Sequence, residues 1–235
     1  MCTSHPPAST TRRHVLATLA GGATLAAAQT VWRTGSARAA SRLAPVVDPR
    51  AALERLEEGN ARFVADRSEA PNRDIGRLRE VAPRQTPFAA FLGCADSRVP
   101  IEIVFDQGFG DLFVTRIAGN VAATENIASL EFATEVLGTQ VVYVLGHTSC
   151  GAVAAAAKGD PVPGQISALF QHIRPAIRAA KGDPVVAVRE NVRIQAQTLV
   201  EASTVISSLV TAGKVVVAGG IFDLATGRVD RVPID

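Results

Sequence analysis

Cysteine and histidine are scarce in this chain of 235 residues, which contains only three cysteines and four histidines. Beyond residue 39 the chain keeps only Cys94, Cys150, His147 and His172. Any site built from thiols or imidazoles in the main part of the chain must therefore use these four side chains. In an oxidising compartment, one disulfide is the simplest alternative use for the two cysteines.

Acidic residues are missing from the first 39 positions, where Arg12 and Arg13 are followed by an uncharged stretch at 15–32. Small residues, SARA at 36–39, match a signal-peptidase site. We therefore expect a twin-arginine signal at 1–39 that is cut after Ala39, then a linker at 40–47, and a periplasmic or secreted protein. The alternative is an uncleaved anchor, since 18 uncharged residues approach the roughly 20 that a bilayer-spanning helix needs.

An excess of basic charge is also absent once this segment is removed. Setting its four arginines aside from the 24 lysines and arginines leaves 20 basic residues against 22 acidic ones. This slightly acidic balance provides no basic patch, so we expect no nucleic-acid partner. We also expect no contact with the membrane after the signal is cleaved.

Apolar runs of strand length alternate with helical patterns beyond residue 48. The predicted strands are 88–93, 111–116, 141–146 and 214–222. The predicted helices are 49–65, 73–81, 124–137 capped by Thr124, 166–180 and 185–210. Strands that are apolar along their whole length are typical of a sheet buried on both faces. We therefore expect one α/β domain at 48–235, with a mostly parallel central β-sheet flanked by helices.

The end of the chain, IFDLATGRVDRV, has the pattern of a hairpin. The turn residues ATG follow the last apolar strand and precede a second short strand. We therefore expect an antiparallel C-terminal edge strand beside the parallel part of the sheet.

Reactive side chains follow two of the predicted strands, in CADSR after the first and HTSCG after the third. The carboxyl ends of parallel strands lie at one edge of a sheet, so we expect the two segments to meet. If the first segment stays extended, Cys94, Asp96 and Arg98 lie on one side of it. His147 and Cys150 are three positions apart where a strand leads into a helix, so both can reach one point.

One imidazole and two thiolates, from His147, Cys94 and Cys150, form a ligand set suited to zinc. Structural zinc sites normally use four protein ligands, whereas three leave room for water. The set therefore favours a catalytic site, provided that Asp96 does not take the fourth position. His172 lies in a predicted amphipathic helix, where a surface role is favoured over ligation. A disulfide stays an alternative, although it gives the other polar residues of both segments no function.

These residues resemble the β-class carbonic anhydrases, whose hallmark is C-x-D-x-R followed some fifty residues later by H-x-x-C-G. Here Cys94 precedes His147 by 53 positions. Further blocks that resemble the family are LEEGNARFV, PFAAFLGCADSRVPIEIVFDQGFGDLFVTRIAGN, SLEFA, VLGHTSCGAV and GGIFDLATGRV. The resemblance covers nearly all of the chain after the signal. It implies a β-carbonic anhydrase-like fold and reversible hydration of CO2 to bicarbonate and a proton by hydroxide bound to zinc.

The resemblance also implies roles for single residues. It implies one Zn2+ per chain held by Cys94, His147 and Cys150, with Asp96 and Arg98 as a coupled catalytic pair beside the metal.

Gln85, nine positions before the first ligand, matches a family glutamine that hydrogen-bonds substrate, and Gly151 matches the glycine after the last ligand. Arg116 and Asn120 match further family positions. Phe91 stands where the bicarbonate-sensitive type of the family has tryptophan, which favours the open, non-allosteric type. The family implies a homodimer or higher homo-oligomer, with the N-terminal helix across the partner and each active site lined by both subunits.

Two alternatives to carbonic anhydrase follow from the same residues. A zinc hydrolase on this scaffold could act on carbon disulfide or carbonyl sulfide, because these linear molecules would meet the same nucleophile. A non-enzymatic protein could instead use Cys94 and Cys150 in a zinc site or a disulfide. Metal content and thiol reactivity distinguish the second alternative from an enzyme.

Overall fold

The computed structural model describes residues 48–234. The predicted signal peptide at 1–39 and the linker at 40–47 lie outside these residues and stay predictions. Within 48–234, no helix has both the length and the apolar character that crossing a bilayer requires.

The strands within the described part of the chain form one five-stranded sheet with the order β2-β1-β3-β4-β5. They are β1 (Ala89–Gly93), β2 (Leu112–Arg116), β3 (Val141–His147), β4 (Val216–Phe222) and β5 (Val229–Val232). The pairs β1–β2, β1–β3 and β3–β4 are parallel, and β4–β5 is antiparallel. This confirms the predicted mostly parallel sheet with an antiparallel C-terminal edge strand.

Helices cover both faces of this sheet. They are α1 (Pro49–Val64), α2 (Ile75–Val81), α3 (Ile101–Val104), α4 (Thr124–Glu131), α5 (Gly151–Lys158), α6 (Ser167–Ala179), α7 (Pro184–Ala202) and α8 (Thr204–Thr211). Apolar residues of α4 to α8 pack on one face, and those of α1 and α3 pack on the other. Every residue of β1 and β3 is buried, which explains why these strands are apolar without alternation.

Aspartates fix where several helices begin. The Asp48 carboxylate accepts a hydrogen bond from Arg50 N (3.2 Å), and Asp74 accepts one from Arg77 N (2.9 Å). Asp183 caps α7 in the same way, and prolines occupy the first positions of α1 and α7. Both residue types are those expected at a helix start.

Two helix predictions are wrong in detail. The helix predicted at 185–210 is two helices, because the Ser203 side chain accepts a hydrogen bond from Ile206 N (3.0 Å) and starts α8. Thr124 does not cap α4; Ala123 precedes the helix and no side chain caps it. This helix then continues as a π-helix at Phe132–Val136, a wider turn that periodicity alone does not reveal.

Candidate metal centre

The sheet brings three donor side chains to one edge. Cys94 directly follows β1, His147 is the last residue of β3, and Cys150 is the N-cap of α5. Because β1 and β3 are parallel neighbours, their carboxyl ends lie side by side. The donor atoms of these three residues lie within 4.8 Å of one another, and all three residues are buried.

The geometry of these donors fits a metal ion. A tetrahedral zinc with sulfur at about 2.3 Å and nitrogen at about 2.0 Å would separate its ligand atoms by roughly 3.5–3.8 Å, so the donor atoms, which lie within 4.8 Å of one another, would need to approach by about 1.3 Å at most. His147 Nδ1 lies 2.9 Å from Thr148 O, which leaves Nε2 buried without a hydrogen-bond partner. Cys94 and Cys150 are free thiols. These three residues could therefore hold a metal.

The two thiols share a proton unequally. The hydrogen bond from Cys150 is the main reason that the pKa of Cys94 falls to about 4, with smaller contributions from His147 and Gly119 N–H. The same contact and burial raise the pKa of Cys150. Burial lowers the pKa of His147, but the nearby Cys94 sulfur, Thr148 O and Asp96 together raise it by more. A bound cation would favour the second thiolate too, since coordinating thiols are deprotonated.

Asp96 and Arg98 form an ion pair beside the donors, but not on an extended chain. The chain turns after Asp96, where Val99 N donates to Asp96 O at 3.1 Å. Asp96 Oδ1 accepts from Arg98 N and Nε, both at 2.9 Å, and Oδ2 accepts from Nη2 at 2.7 Å. The expected extended alternation is therefore wrong, and a turn closed by the Asp96 carboxylate brings the pair together.

This ion pair keeps Asp96 charged. The hydrogen bond from Arg98 is the largest reason that the pKa of Asp96 lies well below its usual range. Asp96 Oδ2 lies 3.8 Å from His147 Nε2. An ionised carboxylate, turned by a guanidinium, therefore stands next to the three donors.

Arg116, at the end of the neighbouring strand β2, holds the segment that carries Cys94 and Asp96. Its Nε donates to Cys94 O at 2.9 Å and its Nη2 donates to Asp96 O at 2.5 Å. The sequence matched Arg116 to the family pattern without giving it a role. A charged residue at the end of a mostly apolar strand was the available signal.

A comparison with protein-family models matches residues 89–229 to carbonic anhydrase. The chain belongs to the β-carbonic anhydrase family. It is 37% identical over 192 residues to carbonic anhydrase 2 of Mycobacterium tuberculosis H37Rv, which covers 78% of this chain and 93% of that protein. It is also 37% identical over 194 residues to a carbonic anhydrase of Mycolicibacterium smegmatis, with 79% and 94% covered.

Solved β-carbonic anhydrase structures share the fold. The enzyme CafA of Aspergillus fumigatus is 27% identical with a TM-score of 0.60, and the match covers 79% of this chain and 91% of that one. The Coccomyxa β-carbonic anhydrase in complex with acetazolamide is 25% identical with a TM-score of 0.59, and 80% and 87% are covered.

Not every residue matched to the β-carbonic anhydrase pattern lies at the donor cluster. Gln85 is exposed in the loop before β1 and lines a cavity of about 500 Å³ with Val136 and Leu137. It therefore lies near the amino end of β1, whereas Cys94 follows the carboxyl end, and the strand between them is about 16 Å long. Within one chain, the structure does not bring Gln85 to the cluster.

The structure places Gly151 and His172 differently with respect to the donor cluster. Gly151 is the first residue of α5, directly after Cys150, and it is exposed; a Cβ added there would meet nothing within 4 Å. His172 is half-buried on α6 and does not belong to the donor cluster. Gly151 thus borders the site, and His172 does not.

Proposed function

We propose that this chain is a zinc-dependent carbonic anhydrase that interconverts CO2 with bicarbonate and a proton. The observation that carries the proposal is the set of three buried donors within 4.8 Å of one another, with an ionised carboxylate beside them, in a chain of this family. The family match and the relatives' shared name favour this activity over a hydrolase of carbon disulfide or carbonyl sulfide and over a non-enzymatic disulfide protein.

Cys94, His147 and Cys150 are the proposed zinc ligands, one ion per chain. Three protein ligands would leave a fourth position for solvent, and zinc held by them would make a bound water acidic enough to lose a proton near neutral pH. Two thiolates offset the double charge of the ion, which favours a less acidic water than an all-histidine site would give. We therefore expect activity to increase as pH rises above neutral.

Asp96 and Arg98 orient the attacking water. After this water has lost one proton, the Asp96 carboxylate would accept a hydrogen bond from the O–H that remains, which would turn an oxygen lone pair toward the carbon of CO2. Arg98 keeps the carboxylate ionised and fixes its plane through the hydrogen bonds described above. Positioning, rather than proton removal, is the proposed role of this pair, in the open arrangement with Asp96 not bound to the metal.

Gln85 donates to a substrate oxygen in the site of a partner subunit, so the working unit is a homodimer or a larger homo-oligomer. The distance between Gln85 and the donors of its own chain supports a contribution in trans. Exposed apolar residues also support a partner, since Val136, which lines the same cavity as Gln85, is 64% exposed, and Phe132, four positions earlier, is 47% exposed. Gly151, next to the last ligand, has no side chain and leaves space for substrate where the two subunits meet.

Export by the twin-arginine route is the second part of the proposal, with a periplasmic or secreted mature protein. Its basis is the sequence at 1–39, outside the described residues. Export of a folded chain suits a zinc–thiolate site, because the ion can be inserted in the reducing cytoplasm before the cysteines meet an oxidant. Recovery of a metal-free protein with an oxidised cysteine pair from the periplasm would contradict this.

Stopped-flow CO2 hydration and metal analysis of the chain without residues 1–39 test the proposal directly. We expect about one zinc per chain by the ligand count, hydration activity that climbs between about pH 6.5 and 8.5, and thiols that react only after chelation. Cys94→Ser is the matched variant that should lose both zinc and activity. A protein that stays inactive after zinc loading, or a rate already flat at pH 6.5, would contradict the proposal.

A further inference from the structure

Helix α7 carries two amide side chains in the hydrophobic layer that covers one face of the sheet. Asn191 and Gln195 are one helical turn apart and only 1% and 2% exposed. Buried amides destabilise a core unless their polar atoms are hydrogen-bonded. The partners of these two side chains therefore show what they stabilise.

Both amides bind the loop that follows β2. Asn191 Nδ2 donates to Gly119 O at 2.8 Å, and Gln195 Oε1 accepts from Ala122 N at 2.8 Å. Gln195 Nε2 donates to Asn191 Oδ1 at 3.2 Å and to His172 O at 2.9 Å. The pair thus joins α7 and α6 to both ends of the 119–122 loop.

The same loop contacts a proposed metal ligand. Gly119 N–H donates to Cys94 Sγ at 3.3 Å, within the buried interior. Gly119 has a φ of +76°, and a Cβ there would lie 2.8 Å from Ile173 Cδ1. Only glycine at position 119 lets the backbone lie this close to both Ile173 on α6 and the Cys94 sulfur.

We propose that Asn191 and Gln195 are positioning residues of the metal centre, which hold Gly119 so that its N–H donates to the Cys94 sulfur. The proposal rests on the zinc function proposed above. A hydrogen bond to a ligand sulfur withdraws charge from it, so the sulfur donates less to the cation and the cation becomes a stronger acid. Loss of this bond should strengthen sulfur donation and move the pH midpoint of activity upward.

Asn191→Leu and Gln195→Met test this inference, since each keeps the approximate volume of the side chain and removes the amide. We expect zinc affinity, measured by chelator competition, to fall about 10- to 100-fold, because without the Gly119 N–H donor the Cys94 thiolate is less well placed and protons compete with zinc for it more strongly. In the cobalt-substituted protein we expect the sulfur-to-metal charge-transfer band to shift, and in the zinc protein the pH midpoint to move upward. Leu199→Ala is the control, because it removes core volume from the same helix without removing an amide; it should lower stability alone.

Two results would overturn the inference: variants with unchanged affinity, spectrum and pH midpoint, or a Leu199→Ala control that shifts them equally. If the variants do not fold, the wild-type protein loaded with NMR-active cadmium decides. A scalar coupling between the Gly119 amide proton and cadmium would support the inference, and its absence would overturn it. A wild-type protein that binds no zinc would instead contradict the proposed function.

Discussion

Beside the donor cluster, both oxygens of the Asp96 carboxylate accept hydrogen bonds from the Arg98 guanidinium. A single substitution in this pair tests its proposed role. In Asp96→Asn, the amide can accept from Arg98 through one atom only, so the side chain no longer holds its plane or accepts strongly from the attacking water. We expect CO2 hydration to fall by about 10- to 100-fold while zinc content stays the same. Stopped-flow assays and metal analysis of the same sample measure both.

The control for this prediction is Asp160→Asn, which makes the same chemical change at an exposed aspartate after α5. It should leave both zinc content and activity at the wild-type level. If Asp96→Asn loses its zinc, Asp96 is itself a metal ligand and the open arrangement proposed here is wrong.

At the scale of elements, the junction of α7 and α8 depends on one hydroxyl. Ser203 is 1% exposed; its Oγ accepts from Ile206 N at 3.0 Å and donates to Glu131 Oε1 at 2.6 Å. Ser203→Ala removes the α8 cap and leaves a buried donor unpaired, so we expect the free energy of unfolding to fall by about 2 kcal/mol. Urea denaturation measures this change.

Ser208→Ala is the matched variant on the same helix. Ser208 is exposed, and its hydroxyl donates only to Thr204 O, so we expect a change within about 0.5 kcal/mol. Equal effects of the two substitutions would show that the Ser203 contacts do not stabilise the junction.

The elements that could be predicted are those with a pattern of their own. The strands lie within two residues of their predicted bounds, because a strand buried on both faces is apolar throughout. Cys94, His147 and Cys150 could be singled out because thiols and imidazoles are few and stand at strand ends. Their meeting required only that β1 and β3 be neighbours.

The elements that could not be predicted depend on contacts between distant parts of the chain. In the sequence, Ser203 is one more polar residue within a helical pattern. Its contacts with Ile206 N and with the α4 helix exist only in the folded chain. Asn191 resembles a solvent-facing residue, and its partner Gly119 lies 72 positions earlier. The turn at Asp96 is local, but alternation of side chains along a strand conceals it.

At the scale of the whole molecule, buried Asp106 ties separate segments together. Asp106 Oδ2 accepts from Arg62 Nε on α1 (2.8 Å) and from Glu69 N (3.0 Å), and Oδ1 accepts from Ala70 N (2.9 Å). Burial raises the pKa of Asp106, but these hydrogen bonds lower it by more. The charged carboxylate therefore stabilises the fold above the unfolded pKa of about 3.9, and this stabilisation is lost as pH falls through the lower folded value.

Asp106→Asn should lower the free energy of unfolding near pH 7 by about 3 kcal/mol, because it removes the buried charged acceptor of the half-buried Arg62 guanidinium and of two backbone N–H groups. The advantage of the wild type over this variant should shrink as pH falls from about 5 to about 3. Urea unfolding across a pH series tests this. Asp66→Asn is the control, since Asp66, like Asp106, has a positive φ but is exposed. The prediction would be contradicted if the difference in the free energy of unfolding between wild type and Asp106→Asn were the same at every pH.

The assembly of two chains is the largest scale at which the proposed site can be tested. Gln85→Ala should lower activity on the order of 100-fold, as loss of a hydrogen-bond donor to the developing charge does, and Cys94→Ser should abolish it. If Gln85 acts in trans, a mixed dimer of these two variants contains one complete site, with the metal ligands of one chain and Gln85 of the other. We therefore expect the mixed dimer, purified through two different tags after co-expression, to recover about half of the wild-type activity, since one of its two sites is complete.

A mixed dimer of Gln85→Ala with a chain carrying both substitutions has no complete site and should recover nothing. If Gln85 acted within its own chain, neither mixed dimer would exceed its parents, because the intact glutamine would always accompany the broken metal centre.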